Sequence, residues 1–182
     1  MRVNRGSGWR AGVGVRCASA ALVAAFLAGA GAGCVGYRLG TTLPPGIQTV
    51  YVPAFVNRTG EPRIEIEASR ATLEELQTDG TLRVAGAAEA DSVLSVTLVG
   101  YRLDPLRYER DRPKTTREYR LQLTADIVFR RVSPEAVLVK KTVQGDATFE
   151  MVGDLATSKD GALPQAARDL AHDIVESIVE YW

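Results

Sequence analysis

The clearest pattern in the chain runs from Tyr119 to Phe129. Tyr119, Leu121, Leu123, Ala125, Ile127 and Phe129 alternate with Arg120, Gln122, Thr124, Asp126, Val128 and Arg130. Successive side chains on a strand point to opposite faces, so this period of two predicts a half-buried antiparallel strand with one polar face. Ser92–Leu103 places Leu94, Val96 and Leu98 on one face in the same way. Val137–Phe149 continues with Val139, Val143, Ala147 and Phe149 apolar and Lys141 interrupting that face. Ser133-Pro134-Glu135 joins these last two strands. Earlier in the chain, Ile47–Val52 is a short β-branched run closed by Pro53, Asn57–Pro62 is a turn-rich joint, and Thr81–Val84 is a candidate short strand.

Two segments change period. Over Glu65–Asp79, Ile66, Arg70, Leu73 and Leu76/Gln77 recur at helical spacing, with Glu74 and Glu75 outward. Asp79-Gly80 ends this helix, because glycine supplies the positive φ of a C-cap. Asp154–Asp160 reads as a polar loop. The final helix runs from about Leu163 to Tyr181, with Ala167, Leu170, Ala171, Ile174, Ile178 and Tyr181 as its apolar stripe. The expected fold is therefore a two-layer α+β domain: a mostly antiparallel four-stranded sheet with two helices packed on one face. The other sheet face stays polar, for water or a partner.

The first third of the chain has a different character. Arg2, Arg5, Arg10 and Arg16 are followed by an uncharged run from Cys17 to Gly33, and the first acidic residue is Glu61. A basic start, a short apolar stretch and small residues before a cysteine describe a secretory signal of the lipoprotein type. The run is too rich in Ala and Gly to be a strong permanent span. On this reading residues 1–33 are the signal, Cys34 becomes the acylated N-terminus, residues 34–46 are a lipidated tether, and 47–182 are the folded domain. Gly31 stands where such signals usually carry Leu. The alternatives are ordinary cleavage after an Ala-x-Ala sequence, and an uncleaved anchor. Arg16 before Cys17 spoils that cysteine as a lipidation site.

Removal of the signal leaves 149 residues, enough for one domain, with 18 basic and 22 acidic side chains and a net charge of −4. That balance gives no reason to expect a nucleic-acid binder. One cysteine, itself acylated, leaves neither disulfides nor thiolate metal sites. The single histidine, His172, falls on a helix, and no His, Cys or carboxylate grouping has metal-ligand spacing. No nucleophile elbow is present. The chain reads as a non-enzyme without a cofactor.

One stretch stands out between the two strongest strands. Asp104–Arg117 holds Arg107, Arg110, Arg112, Lys114 and Arg117 against Asp104, Glu109 and Asp111, flanked by Tyr101, Tyr108 and Tyr119. It is either a solvated hairpin loop with local ion pairs or a site for an anionic lipid headgroup, since Arg and Lys at a hairpin tip can grip phosphates.

Taken in order, Cys34-Val-Gly-Tyr-Arg-Leu39, Thr49-Val-Tyr-Val-Pro-Ala-Phe-Val-Asn57, the helix ending Asp79-Gly80, Ala90-Asp91-Ser-Val-Leu94, Arg117-Glu-Tyr-Arg-Leu-Gln122 and a C-terminal helix resemble the LPS-assembly lipoprotein family LptE. Val35 is an insertion relative to the family's Cys-Gly-Tyr/Trp start. The resemblance implies a non-enzymatic plug in the lumen of an LptD-type outer-membrane barrel, held to the outer membrane on its periplasmic side by the lipid at Cys34. There it would assist barrel assembly and lipopolysaccharide insertion into the outer leaflet. It also implies lipopolysaccharide binding by basic residues, which by position fall on Arg112 in the hairpin and Lys159 before the last helix, with Arg110, Lys114 and Arg117 nearby. The alternative is an outer-membrane lipoprotein that activates a periplasmic enzyme or serves as a secretion-complex subunit.

Overall fold

The computed structural model describes residues 43–109 and 112–180, with side chains outside 107–117. Strands β1 (Thr49–Tyr51) and β2 (Val56–Asn57) lead into helix α1 (Ile64–Asp79). Strands β3 (Arg83–Val84), β4 (Ser92–Glu109), β5 (Arg112–Arg131) and β6 (Ala136–Glu150) follow, and helix α2 (Leu155–Val179) closes the domain. The sheet order is β3-β1-β4-β5-β6, with β2 also paired to β4. The class is α+β with two helices, as expected, but the sheet is mixed and six-stranded rather than antiparallel and four-stranded. β1 runs parallel to both β3 and β4, and β2 runs parallel to β4. The cause is α1: a helix between two strands brings the chain back to start again in the same direction. β2 was hidden in the turn-rich joint because two residues are too short to show a period.

The antiparallel part matches the alternation closely. β5 pairs with β4 from Ser92↔Arg131 outward and with β6 from Arg131↔Ala136 outward. Leu121, Leu123, Ala125, Ile127 and Phe129 are fully buried, and so are Leu94 and Leu98. At roughly 1.5–3 kcal/mol for each fully buried large aliphatic side chain, this row is a principal source of stability. Lys141 does sit on the core face of β6, but its ammonium reaches the Ser177 hydroxyl at 3.1 Å near the end of α2. The apolar stem packs while the charge stays at the edge.

Helix α2 buries Ala162, Ala166, Ala167, Leu170, Ala171, Ile174, Val175 and Ile178. This is the expected stripe with Ala162, Ala166 and Val175 added; Tyr181 lies outside the described residues. Its start differs. Asp154 is the N-cap and accepts from the Thr157 N–H at 2.8 Å, so the polar stretch 155–160 is the first turns of α2, not a loop. Gly161 and Pro164 hid this from a propensity reading, but the cap satisfies an otherwise unpaired N–H and the helix runs through them.

Helix α1 also differs, in phase. Its buried face is Ile64, Ala68, Ala71, Thr72 and Leu76, while Ile66 is 59% exposed. Thr72 is tolerated inside because its hydroxyl donates to the Ala68 carbonyl at 2.8 Å. Gly80 takes the expected left-handed cap, with φ 72° and its N–H donated to Leu76 O.

Candidate functional site

A β-bulge between Leu98 and Gly100 creates the site's floor. Before it, Leu94, Val96 and Leu98 point into the core; after it, Tyr101 and Leu103 pack against that core instead. The extra residue moves the inward set from even to odd positions. Tyr101 thereby lies beneath the first turns of α2 and the turn before α1.

Each wall is built by local hydrogen bonds. Asn57 holds the turn before α1: its amide donates to Glu61 O and to Glu65 Oε2, both at 2.8 Å, and its Oδ1 accepts from the Thr59 N–H and hydroxyl. Arg63 at φ 69° then tips the chain into α1. On the other side, Ser158 fastens the start of α2 by accepting from the Val152 N–H at 3.0 Å. Lys159 follows and spans the gap. Its Nζ lies 2.6 Å from Glu61 Oε1 and 5.7 Å from the centre of the Tyr101 ring.

About a quarter of each of these two side chains is exposed, so the pair is neither buried nor freely solvated. The hydrogen bond to Glu61 raises the Lys159 pKa, and burial pushes the Tyr101 phenol up. Around them opens a cleft of about 470 Å³ whose walls include Pro62, Arg63, Ile66, Leu163 and Pro164. Three carboxylates, Glu61, Glu67 and Asp160, line it beside the Lys159 ammonium, the Arg63 guanidinium and the apolar walls, so it is an amphipathic cleft of mixed charge. No grouping of three His, Cys, Asp or Glu side chains able to hold a metal occurs among the described residues.

The sequence-predicted residues do not form one constellation. Asp104–Arg117 is not a loop: the β4–β5 ladder continues through it, from Asp104↔Arg120 to Glu109↔Arg112, with register shifts after Pro105. Arg112 therefore opens β5 at the top of a long hairpin, with Lys114 and Arg117 farther down the same strand. Arg110 and Cys34 lie outside the described residues. Eight residue steps take β4 from Tyr101, under Lys159, to Glu109 at the level of Arg112, roughly 25 Å. By sequence Tyr101 is singled out only as a ring flanking the basic stretch, and Glu61 and Arg63 are not singled out as site residues; a partner lying 98 residues away from Lys159 leaves no local signal. His172 sits at the α1–α2 seam, 3.1 Å from Glu75 Oε1.

The comparisons agree with this architecture. The sequence model of the family described as "LptE: Lipopolysaccharide-assembly" matches residues 47–180. The chain belongs to the LptE family. Its general role is thereby lipopolysaccharide assembly. No curated protein matches the chain. Among solved structures, a hypothetical protein from Chlamydia trachomatis is similar at TM-score 0.53 and 10% identity, covering 74% of this chain and 97% of that one. A minor lipoprotein from Acinetobacter baumannii gives TM-score 0.51 at 14% identity, over 74% and 94%. A protein from Xanthomonas campestris gives 0.53 at 10%, over 76% and 88%. At such identities the likeness is one of fold. Among the described residues, no helix is long and apolar enough to cross a membrane.

Proposed function

We propose that this LptE-family chain is a lipid-anchored outer-membrane protein that sits as a plug in an LptD-type barrel, assists its assembly and promotes lipopolysaccharide insertion. Residues 1–33 are the signal, Cys34 carries the lipid, 34–46 are the tether and 47–182 are the plug. The observation that carries this reading is the character of the helix-free sheet face. Its middle is a polar ladder: Arg120 meets Asp146 at 3.5 Å, the Gln122 amide donates to Gln144 Oε1 at 3.2 Å, and the Thr142 hydroxyl donates to Asp126 Oδ1 at 2.7 Å. A broad, self-satisfied polar face over a rigid core suits a hydrated lumen, where a plug must fit without burying unpaired groups.

Lipopolysaccharide phosphates are met by Arg112 and Lys159, supported by Arg110, Lys114 and Arg117. The two tests are separate. Co-purification with the barrel checks the plug, and a strong stoichiometric barrel partner is expected. Lipopolysaccharide binding by Arg112→Asp and Lys159→Asp checks the basic residues: both are expected to weaken binding with the fold intact, and unchanged binding would end the assignment.

A further inference from the structure

The sheet has two unlike ends. Eight residues separate Cys34 from Leu43, which packs against the core, so at full extension they reach about 30 Å. The tether enters at β1, whose neighbours β3 and β4 begin at the same end. Here β5 finishes and β6 starts. The Lys159 cleft lies about 30 Å up β4, at Tyr101, and the hairpin tip lies at the other end, about 55 Å away.

The tether end carries an unusual rim. Val84 is 41% exposed on one edge of the sheet, and Val132 and Val137 are 47% and 62% exposed on the other. Arg83 neighbours the first, and Arg130 and Lys140 neighbour the others. On the helix-free face Arg130 lies directly across from Val93 and Val137, so the polar ladder gives way here to alternating valine and cation. Arg130 and Lys140 form no ion pair among the described residues. The acids at this end are Glu135 in the β5–β6 turn, the exposed Glu89 before β4, and Asp91, which takes the Gln48 and Thr49 N–H groups and also feels the Arg83 charge; Arg131 is bonded to Pro134 O.

We infer that this end is a second membrane contact, made before the barrel encloses the domain: the rim of Val84, Val132 and Val137 with Arg83, Arg130 and Lys140 rests on the phospholipid headgroups of the leaflet that holds the lipid at Cys34. The inference rests on the anchoring reading above. Three observations support it. The tether is too short to hold the domain far from the bilayer. The tether strand β1 lies between the two edges of the rim. Exposed valines among cations suit a surface of phosphates over acyl chains, and one lipid attachment is commonly reinforced by such a basic patch. The contact would set the orientation, directing the hairpin and the Lys159 cleft away from the inner leaflet.

The test uses the mature lipidated chain in vesicles of phosphatidylethanolamine and phosphatidylglycerol, without barrel. A fluorophore is placed at Val137→Cys or, as far-end control, at Val152→Cys. Lipid-borne headgroup quenchers are expected to quench the Val137 label at least about threefold more than the Val152 label. Arg130→Glu with Lys140→Glu is expected to abolish that difference. Equal quenching at both positions in protein whose Cys34 is acylated by mass overturns this contact alone. Shielding of the Val137 label from aqueous quenchers without lipid quenching reveals a protein contact and also overturns it. An unacylated Cys34, with the protein left in the supernatant, overturns the anchoring reading and this contact with it.

Discussion

Thr49 and Asp91 hold each other across 42 residues of chain. The Thr49 hydroxyl donates to Asp91 Oδ2 at 2.7 Å and accepts from the Asp91 N–H at 2.9 Å, while Asp91 Oδ2 also takes the Gln48 and Thr49 N–H groups. This exchange joins the start of β1 to the start of β4 beside the tether. The hydrogen bond from Thr49 is the main cause that holds the Asp91 carboxyl below its ordinary pKa. A depressed carboxylate adds stability above its unfolded pKa of about 3.9 and loses it as pH falls through the folded value. Asp91→Asn is therefore expected to be less stable than the parent at neutral pH, with the gap narrowing as pH falls below the unfolded value of about 3.9. Urea midpoints across that range check this, and a pH-independent gap would refute it.

His172 works in the opposite direction. Its Nδ1 lies 3.1 Å from Glu75 Oε1 across the two helices, and that hydrogen bond, with Glu75, Glu176 and Asp173 nearby, raises its pKa. A raised histidine stabilises the fold below its unfolded pKa of about 6.5 and loses that contribution as pH climbs through the folded value. The parent should exceed His172→Gln in Tm at about pH 5.5 and approach it at about pH 8.5. A Tm difference that is the same at both pH values would remove the pair from the pH response.

Gly145 is the point where helix and sheet touch backbone to backbone. A Cβ built there would meet Leu170 N at 2.1 Å and Leu170 Cα at 2.4 Å, main-chain atoms of a packed helix that cannot swing aside. Gly145→Ala is expected to cost about 3 kcal/mol or to prevent folding, through overpacking. Gly86→Ala, with nothing within 4 Å, should be close to neutral. Urea midpoints of the two variants settle the contrast.

The features legible in the sequence were those with a long period. The alternation of β5 correctly sorted Leu121 through Phe129 from Arg120 through Arg130, and the α2 stripe placed Leu170 and Ile174 inside. Short or nonlocal features were not legible. β2 has two residues and exists because β4 lies beside it, and the phase of α1 is set by Ala68 and Thr72, which no hydrophobicity count would place inside ahead of Ile66. Of the candidate site, Lys159 was recognised by family position alone. Its carboxylate partner, its tyrosine floor and the bulge that aims that tyrosine arise from tertiary contact. Thr49 and Asp91, quoted only as family-like letters, and Asn57, read as the start of a turn, prove to be hydrogen-bonding nodes of the scaffold.

Lys159 is placed to be either a staple between the α1 turn and α2 or a binding site, and Glu61 distinguishes the two. Glu61 Oε1 occupies one of the three ammonium donors at 2.6 Å, and the Tyr101 ring lies beneath. If phosphate is the physiological partner, it must compete with the Glu61 carboxylate for the same charge. Glu61→Gln keeps an acceptor of the same shape but removes the competing charge. Lipopolysaccharide binding should then tighten by about threefold, a modest change because the pair is partly exposed and the carboxylate is partly screened. Adding Lys159→Ala should abolish the gain. If the pair serves only to fasten the α1 turn to α2, Glu61→Gln lowers Tm and leaves lipopolysaccharide affinity where it was. Affinity and Tm measured together on the same variants distinguish the two, and unchanged or weaker binding would exclude Lys159 as a phosphate ligand held in reserve by Glu61.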